Sequence, residues 1–322
     1  TPNFSVPAHN KPLDPEFHDI FCQNIDDWRQ RMLESRHGHP WIAPPRKLCE
    51  TPEDERLSIL EEAWKIGGLR FRERFEDILL DQDSNDVMAA FIHQKIKDIV
   101  KDPETAEKLL PKDHPFGTKR PPIDTHYFET YNRDNVCLED IRSNPIDCFT
   151  EDGIRLTDGK KIPADSIVFA TGFDAMSGSL LKMGIVGRDG KPLSEAWQDG
   201  PQAYLGLGVH GFPNMFIITG PGSPSVLTNM PRSIEQNVDW ISSVLDFAYT
   251  NNISKIEAEH EAMVNWTKHV IETADKTLLP KANHSWYLGA NIPGKPRVFM
   301  PYVGELENYR SYCDDIMEKN YS

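Results

Sequence analysis

Residues 13 to 111 carry helical periodicity with explicit start and stop signals, and at about residue 112 the pattern changes to short β-type runs. A chain with that break is neither one helix bundle nor one sheet; it needs a helical block set beside mixed α/β layers. The first helical stretch has Asp14 as N-cap and Pro15 at the first helical position. Phe17, Ile20, Phe21, Ile25, Trp28 and Met32 fall on one face, and Gly38 is the expected stop. A second starts at Thr51-Pro52-Glu53-Asp54, runs through Leu57, Leu60 and Trp64, and ends at Gly67-Gly68. Two more follow, near 84 to 101 and 103 to 110.

Beyond the break, Val136 to Leu138, Ile146 to Phe149, Ile154 to Leu156 and Ser166 to Ala170 read as strands, with Asp152-Gly153 and Asp158-Gly159 as turns. Met215 to Thr219 then reads as a strand meeting Gly220-Pro221-Gly222. A helix is expected from Pro231, with Ile234, Val238, Ile241 and Leu245 in register. Strand, glycine turn and helix in that order is the ligand-binding arrangement of α/β proteins. A further amphipathic helix covers roughly 256 to 278.

The partners are bounded by charge. A formal net charge of -15 would repel nucleic acid and anionic membranes, so the expected ligand is small. Five scattered cysteines without a C-x-x-C pattern fit a reducing compartment, and no apolar run reaches membrane-spanning length; a cytoplasmic location is expected. The sequence starts at Thr1 and runs straight into packed-looking sequence, as a fragment would. His37-Gly38-His39 has no third ligand nearby, so no metal is expected.

Gly206-Leu207-Gly208-Val209-His210-Gly211 matches G-x-G-x-x-G, but Phe212-Pro213-Asn214 and a strand follow where a dinucleotide fingerprint needs a helix. It reads as a glycine-rich loop. Gly220-Pro221-Gly222-Ser223-Pro224-Ser225 suits close approach of backbone N–H groups to a flat or anionic ligand, or is a plain turn. Lys119-Arg120-Pro121-Pro122 mounts two cations on a stiff, extended backbone. That serves charge stabilisation at a fixed point, or is a solvated basic pair. Val168-Phe169-Ala170-Thr171-Gly172-Phe173-Asp174 reads as a buried strand with a terminal glycine turn.

In order along the chain, seven segments resemble the Baeyer–Villiger monooxygenases, most closely the phenylacetone, steroid and cyclohexanone group. They are Thr1-Pro2-Asn3-Phe4, Pro115-Phe116-Gly117-Thr118-Lys119-Arg120, Tyr131-Asn132-Arg133-Asp134-Asn135-Val136, Ala170-Thr171-Gly172-Phe173-Asp174, the glycine turn at 220 to 225, Ser233-Ile234-Glu235-Gln236, and Trp286 to Lys295.

The resemblance implies an α/β fold containing parts of two Rossmann-like dinucleotide-binding domains, for FAD and NADP, with an all-helical insertion. Residues 1–6 would end a first NADP-domain segment, 7–115 form the insertion, 116–172 return to the NADP domain and 173–322 to the FAD domain. It implies an FAD- and NADPH-dependent monooxygenase that inserts one oxygen atom of O2 beside a ketone carbonyl, through a C4a-peroxyflavin, to give an ester or lactone. Such an enzyme is expected to be a monomer when complete. By the same resemblance Arg120 is catalytic and, with Thr1, Lys119 and Trp286, contacts NADP; Trp286 rides on a loop that closes over that cofactor. Gly220, Pro221, Gly222 and Met230 would contact FAD, and Ser225, Val226 and Leu227 would wall the substrate pocket. The family's two dinucleotide fingerprints, its signature sequence and the carboxylate partnering the arginine have no match here. The chain alone is therefore expected to hold FAD weakly or not at all. The alternatives are a flavin monooxygenase oxidising nitrogen or sulfur, and an inactive truncated chain.

Overall fold

The computed structural model describes residues 2–40 and 44–321. Where one long first helix was expected there are two, α1 (Pro15–Gln23) and α2 (Ile25–Glu34). The break is Asn24, whose side-chain amide donates to the Ile20 carbonyl at 2.7 Å and competes with the helical ladder. Asp14 caps α1 as expected, accepting from the Glu16 N–H at 3.0 Å. Gly38 does not end α2, which stops at Glu34; at φ +71 it lies against Asn229 and Leu306, where a Cβ would stand 3.2–3.3 Å from their side chains.

The next helices match their signals. α3 (Glu53–Ile66) stops at Gly67, whose φ of +73 and close approach to the Pro7 carbonyl exclude a side chain. β1 (Val6–Pro7) thereby passes α3 and pairs in parallel with β2 (Ile123–Asp124). α4 (Gln82–Ile99) and α5 (Pro103–Leu109) are capped by Asp81 and Asp102. Met88, Ile92 and Ile96 of α4 are fully buried against Phe4, Phe71 and Phe116, forming the core of the helical half. The short α6 (Tyr127–Thr130) follows, with Phe128 in that core.

β3 (Ile146–Thr150), β4 (Gly153–Leu156) and β5 (Lys161–Pro163) form an antiparallel sheet, joined through the expected Asp-Gly turns. The other expected strands carry no ladder. Residues 136–138 and 166–170 are irregular, and 215–219 has only the isolated bridge from Phe216 to Gly208. The run read as a buried strand is exposed, with Val168 at 88% and Phe173 at 89%. An apolar run becomes a buried strand only between neighbouring strands, and the described residues set no strand beside it, meeting it instead through a Phe149–Phe169 ring contact and the polar contacts of Asn291 and Lys295 at Phe173 and Asp174.

After the short α7 (Gly178–Lys182) and α8 (Leu193–Ala196), the carboxyl-terminal half packs α9 (Met230–Thr250), α10 (His260–Ala274) and α11 (Leu306–Glu318). Of the four residues read in register on α9, Ile234, Val238 and Leu245 are exposed and Ile241 packs partly buried on the core. Ser233, Asn237, Val244 and Ala248 are buried instead. Periodicity identifies a helix face but not which layer covers it. α10 starts later than expected because Ile256 is held extended, its N–H donating to Asn214 Oδ1 at 2.9 Å and its carbonyl accepting from the Asn214 N–H at 2.8 Å.

Candidate functional site

The Lys119-Arg120 segment is positioned from beneath by Asn85 of α4. This fully buried amide accepts from the Phe116 N–H at 2.8 Å and donates to the carbonyls of Phe116 at 2.9 Å and Ile78 at 2.7 Å. Gly117 then turns at φ +81, and buried Thr118 closes the turn by donating to the Pro115 carbonyl at 2.8 Å. Lys119 is largely shielded and lies 3.8 Å from Asp113. Burial pushes its ammonium pKa down; Asp113 opposes the shift and Arg142 adds to it.

Arg120 is exposed, and among the described residues no carboxylate forms an ion pair with it. Burial, then the charges of Arg72 and Arg120, lower the His39 pKa. Burial raises the pKa of the Tyr287 phenol, against the pull of Arg120 and Arg72. Arg72, Arg120, His39 and Tyr287 therefore share one electrostatic neighbourhood.

Trp286 opens a single 3-10 turn, Trp286–Leu288, whose preceding Ser285 reaches the Thr118 carbonyl at 3.5 Å. Trp286 packs on Tyr287 with ring centroids 4.5 Å apart, in the same apolar cluster as Val226 and Leu227. The turn leads on to Lys295, which forms an ion pair with Asp174, while the Asn291 amide donates to the Phe173 carbonyl at 3.1 Å. Lys119, Arg120, Trp286, Val226 and Leu227 are thus gathered from three distant stretches of sequence.

Gly220, Pro221 and Gly222 are buried, and their close approach is to protein. A Cβ on Gly206 would stand 2.5 Å from the Ser223 nitrogen and 2.9 Å from the Gly220 oxygen. The G-x-G-x-x-G match is therefore a loop packed backbone to backbone on the glycine turn. Gly222 accepts from the Trp266 indole at 3.0 Å. The turn does not run directly into α9, because a 3-10 turn, Ser225–Leu227, comes between, and Met230 is the first residue of α9. Ser225 is buried at φ +37, and among the described residues its hydroxyl has no hydrogen-bond partner. Thr1 lies outside the described residues.

A cavity of about 560 Å³ opens between the helical half and the carboxyl-terminal half, lined in part by His37, His39, Arg72, Phe75, Leu227 and Tyr302. It takes in Leu227 but not Ser225, Val226 or Arg120. Burial, then Arg72, Arg36 and His39, push the His37 pKa down to about 3, so its imidazole is neutral at pH 7. Among the described residues no three His, Cys, Asp or Glu side chains are grouped to hold a metal. None of the described helices is long and apolar enough to cross a membrane.

Sequence reading missed Asn85, Arg72, Tyr287 and the pair Asp113-His114. Asp113-His114 stands directly ahead of the Pro115 motif, and a charged pair beside a cationic motif was the available signal.

No protein-family profile matches the chain. A Baeyer–Villiger monooxygenase of Pseudooceanicola batsensis is 41% identical over 99% of the chain and 58% of that protein. A cyclohexanone 1,2-monooxygenase of Acinetobacter is 39% identical over the same shares. Among solved structures, an oxidized steroid monooxygenase bound to NADP superposes with a TM-score of 0.91 at 45% identity, covering 100% of this chain and 60% of that one. The α/β fold expected from the sequence is thus shared with flavoprotein monooxygenases, and the chain spans about three-fifths of their length. Along its whole length, in sequence and in fold, the chain is similar to Baeyer–Villiger monooxygenases.

Proposed function

We propose that the protein carrying this chain is an FAD- and NADPH-dependent Baeyer–Villiger monooxygenase, converting a ketone and O2 to an ester or lactone. The observation that carries this reading is the Arg120 guanidinium, unpaired among the described residues and set on a turn braced by buried Asn85. Beside it stand a half-buried ammonium, an indole and an apolar wall. Two cations next to an aromatic ring fit a phosphate-bearing dinucleotide, and the apolar wall fits a ketone.

Bound FAD and NADPH would together supply the activated oxygen. Arg120 stabilises the negative charge that develops as the carbonyl carbon is attacked, because a fixed guanidinium needs no reorganisation at that moment. Lys119 and Thr1 take NADP phosphate, and Trp286 covers the cofactor from its short turn. Val226 and Leu227 exclude water from the ketone, with Ser225 beside them, while the buried turn Gly220 to Gly222 shapes the protein side of the flavin site together with Met230. Residues 7–115 serve as the helical insertion, and 116–172 and 173–322 as the returning NADP- and FAD-domain segments. The working protein is a monomer.

The test is Arg120→Ala in the full-length protein. Ester formation should fall on the order of 10²-fold or more with the flavin spectrum retained. Lactone or ester formation at the wild-type rate would refute the role given to Arg120.

A further inference from the structure

We propose that His114 and Asn3 are positioning residues for Arg120, tying its main chain to a buried imidazole–carboxylate pair that also holds Lys119. The inference rests on the role given to Arg120 above. The His114 side chain is wholly shielded from solvent. Its Nδ1 lies 2.6 Å from Asp113 Oδ1 and its Nε2 3.0 Å from Asn3 Oδ1. The Asn3 amide nitrogen donates to the Arg120 carbonyl at 2.9 Å. The second oxygen of Asp113 accepts from Arg142 at 2.8 Å, and Lys119 stands 3.8 Å from the first. Phe4 meets the imidazole edge-on at 5.4 Å and stacks on His93 at 5.5 Å, so packing holds the ring plane.

The proton count makes this a coupled device. With its nitrogen committed to the Arg120 carbonyl, the Asn3 amide presents its oxygen to His114, and the Asp113 carboxylate is also an acceptor. Both ring nitrogens therefore face acceptors. A neutral imidazole has one N–H and satisfies one of them; the imidazolium satisfies both. Burial foremost, and the facing charges of Lys119 and Arg142, oppose the second proton while Asp113 favours it; the ring pKa lies below its ordinary value, so the second proton is taken up only on the acid side of neutrality, and His93 lies across Phe4. Taking up one proton from solvent completes the tie from Asp113 through His114 and Asn3 to the Arg120 carbonyl. Losing it leaves an oxygen facing a ring lone pair.

The decisive variant is Asn3→Asp in the full-length, FAD-loaded protein, since it keeps the acceptor toward His114 and removes the donor to Arg120. The expected result is a fall in kcat on the order of 10- to 100-fold, with little change in the KM for ketone and in the melting temperature. His114→Gln should abolish the acid-side change in the pH profile of kcat. Independently of activity, the imidazole NMR titration of His114 should shift to higher pH in Asn3→Asp, because a second carboxylate then faces the ring. Wild-type kcat in Asn3→Asp, with Arg120→Ala inactive, would overturn the positioning role. Full activity in Arg120→Ala would instead sink the reading of Arg120, and an unmoved His114 titration in Asn3→Asp would then still overturn the tie.

Discussion

Two of the three glycines of the G-x-G-x-x-G match, Gly206 and Gly208, should behave oppositely when replaced by alanine. Gly206 sits at φ +73, and an added Cβ would meet the Ser223 nitrogen at 2.5 Å, the Ser223 Cβ at 2.7 Å and the Gly220 oxygen at 2.9 Å. Two of the three are backbone atoms of a buried turn and cannot rotate aside. The left-handed backbone costs about 1–2 kcal/mol for an L-residue, and forcing extra volume into a packed site adds about 1–3 kcal/mol. Gly206→Ala should therefore destabilise the protein by about 2–5 kcal/mol. At Gly208 an added Cβ would meet, among the described residues, just the Ala258 Cβ at 3.6 Å, an ordinary contact, and φ is not in the left-handed region. Gly208→Ala should be neutral, or stabilising by about 0.4–1 kcal/mol through the unfolded chain. Urea denaturation of both variants against wild type checks this. Equal midpoints for the two would refute the claim that Gly206 exists for backbone packing.

Asn85→Ala leaves the Phe116 N–H and two carbonyls unpaired in the core, and a loss of about 3–5 kcal/mol is expected; calorimetry reads it, and NADP affinity should weaken with it. His37 has a folded-state pKa of about 3, below the ordinary 6.5, so the unfolded chain binds the extra proton between those values. Its contribution to stability is therefore whole above pH 6.5 and is lost as pH falls toward 3, with a slope of at most about 1.4 kcal/mol per pH unit. His37→Gln should flatten denaturation midpoints between pH 6 and pH 4 relative to wild type, and parallel curves would refute the assignment.

Local signals were legible in the sequence because they act over a few residues. Asp14 caps α1 through a first-turn N–H group, and Asp-Gly pairs turn β3 into β4 and β4 into β5. The ordered motifs likewise pointed from sequence alone to the Baeyer–Villiger monooxygenases that the chain is similar to. What tertiary structure decided is everything that depends on a distant neighbour. α9 turns Ile234 and Val238 outward because Ser233 and Asn237 face the core. Val168 and Phe169 have the composition of a buried strand, yet pairing depends on residues outside the run. The placement of Arg120 follows the same division. The prolines after it determine a stiff mount, but the orientation of that mount is set by Asn85, thirty-odd positions upstream, and by Asn3 and His114, whose hydrogen bonds exist only once the chain has folded.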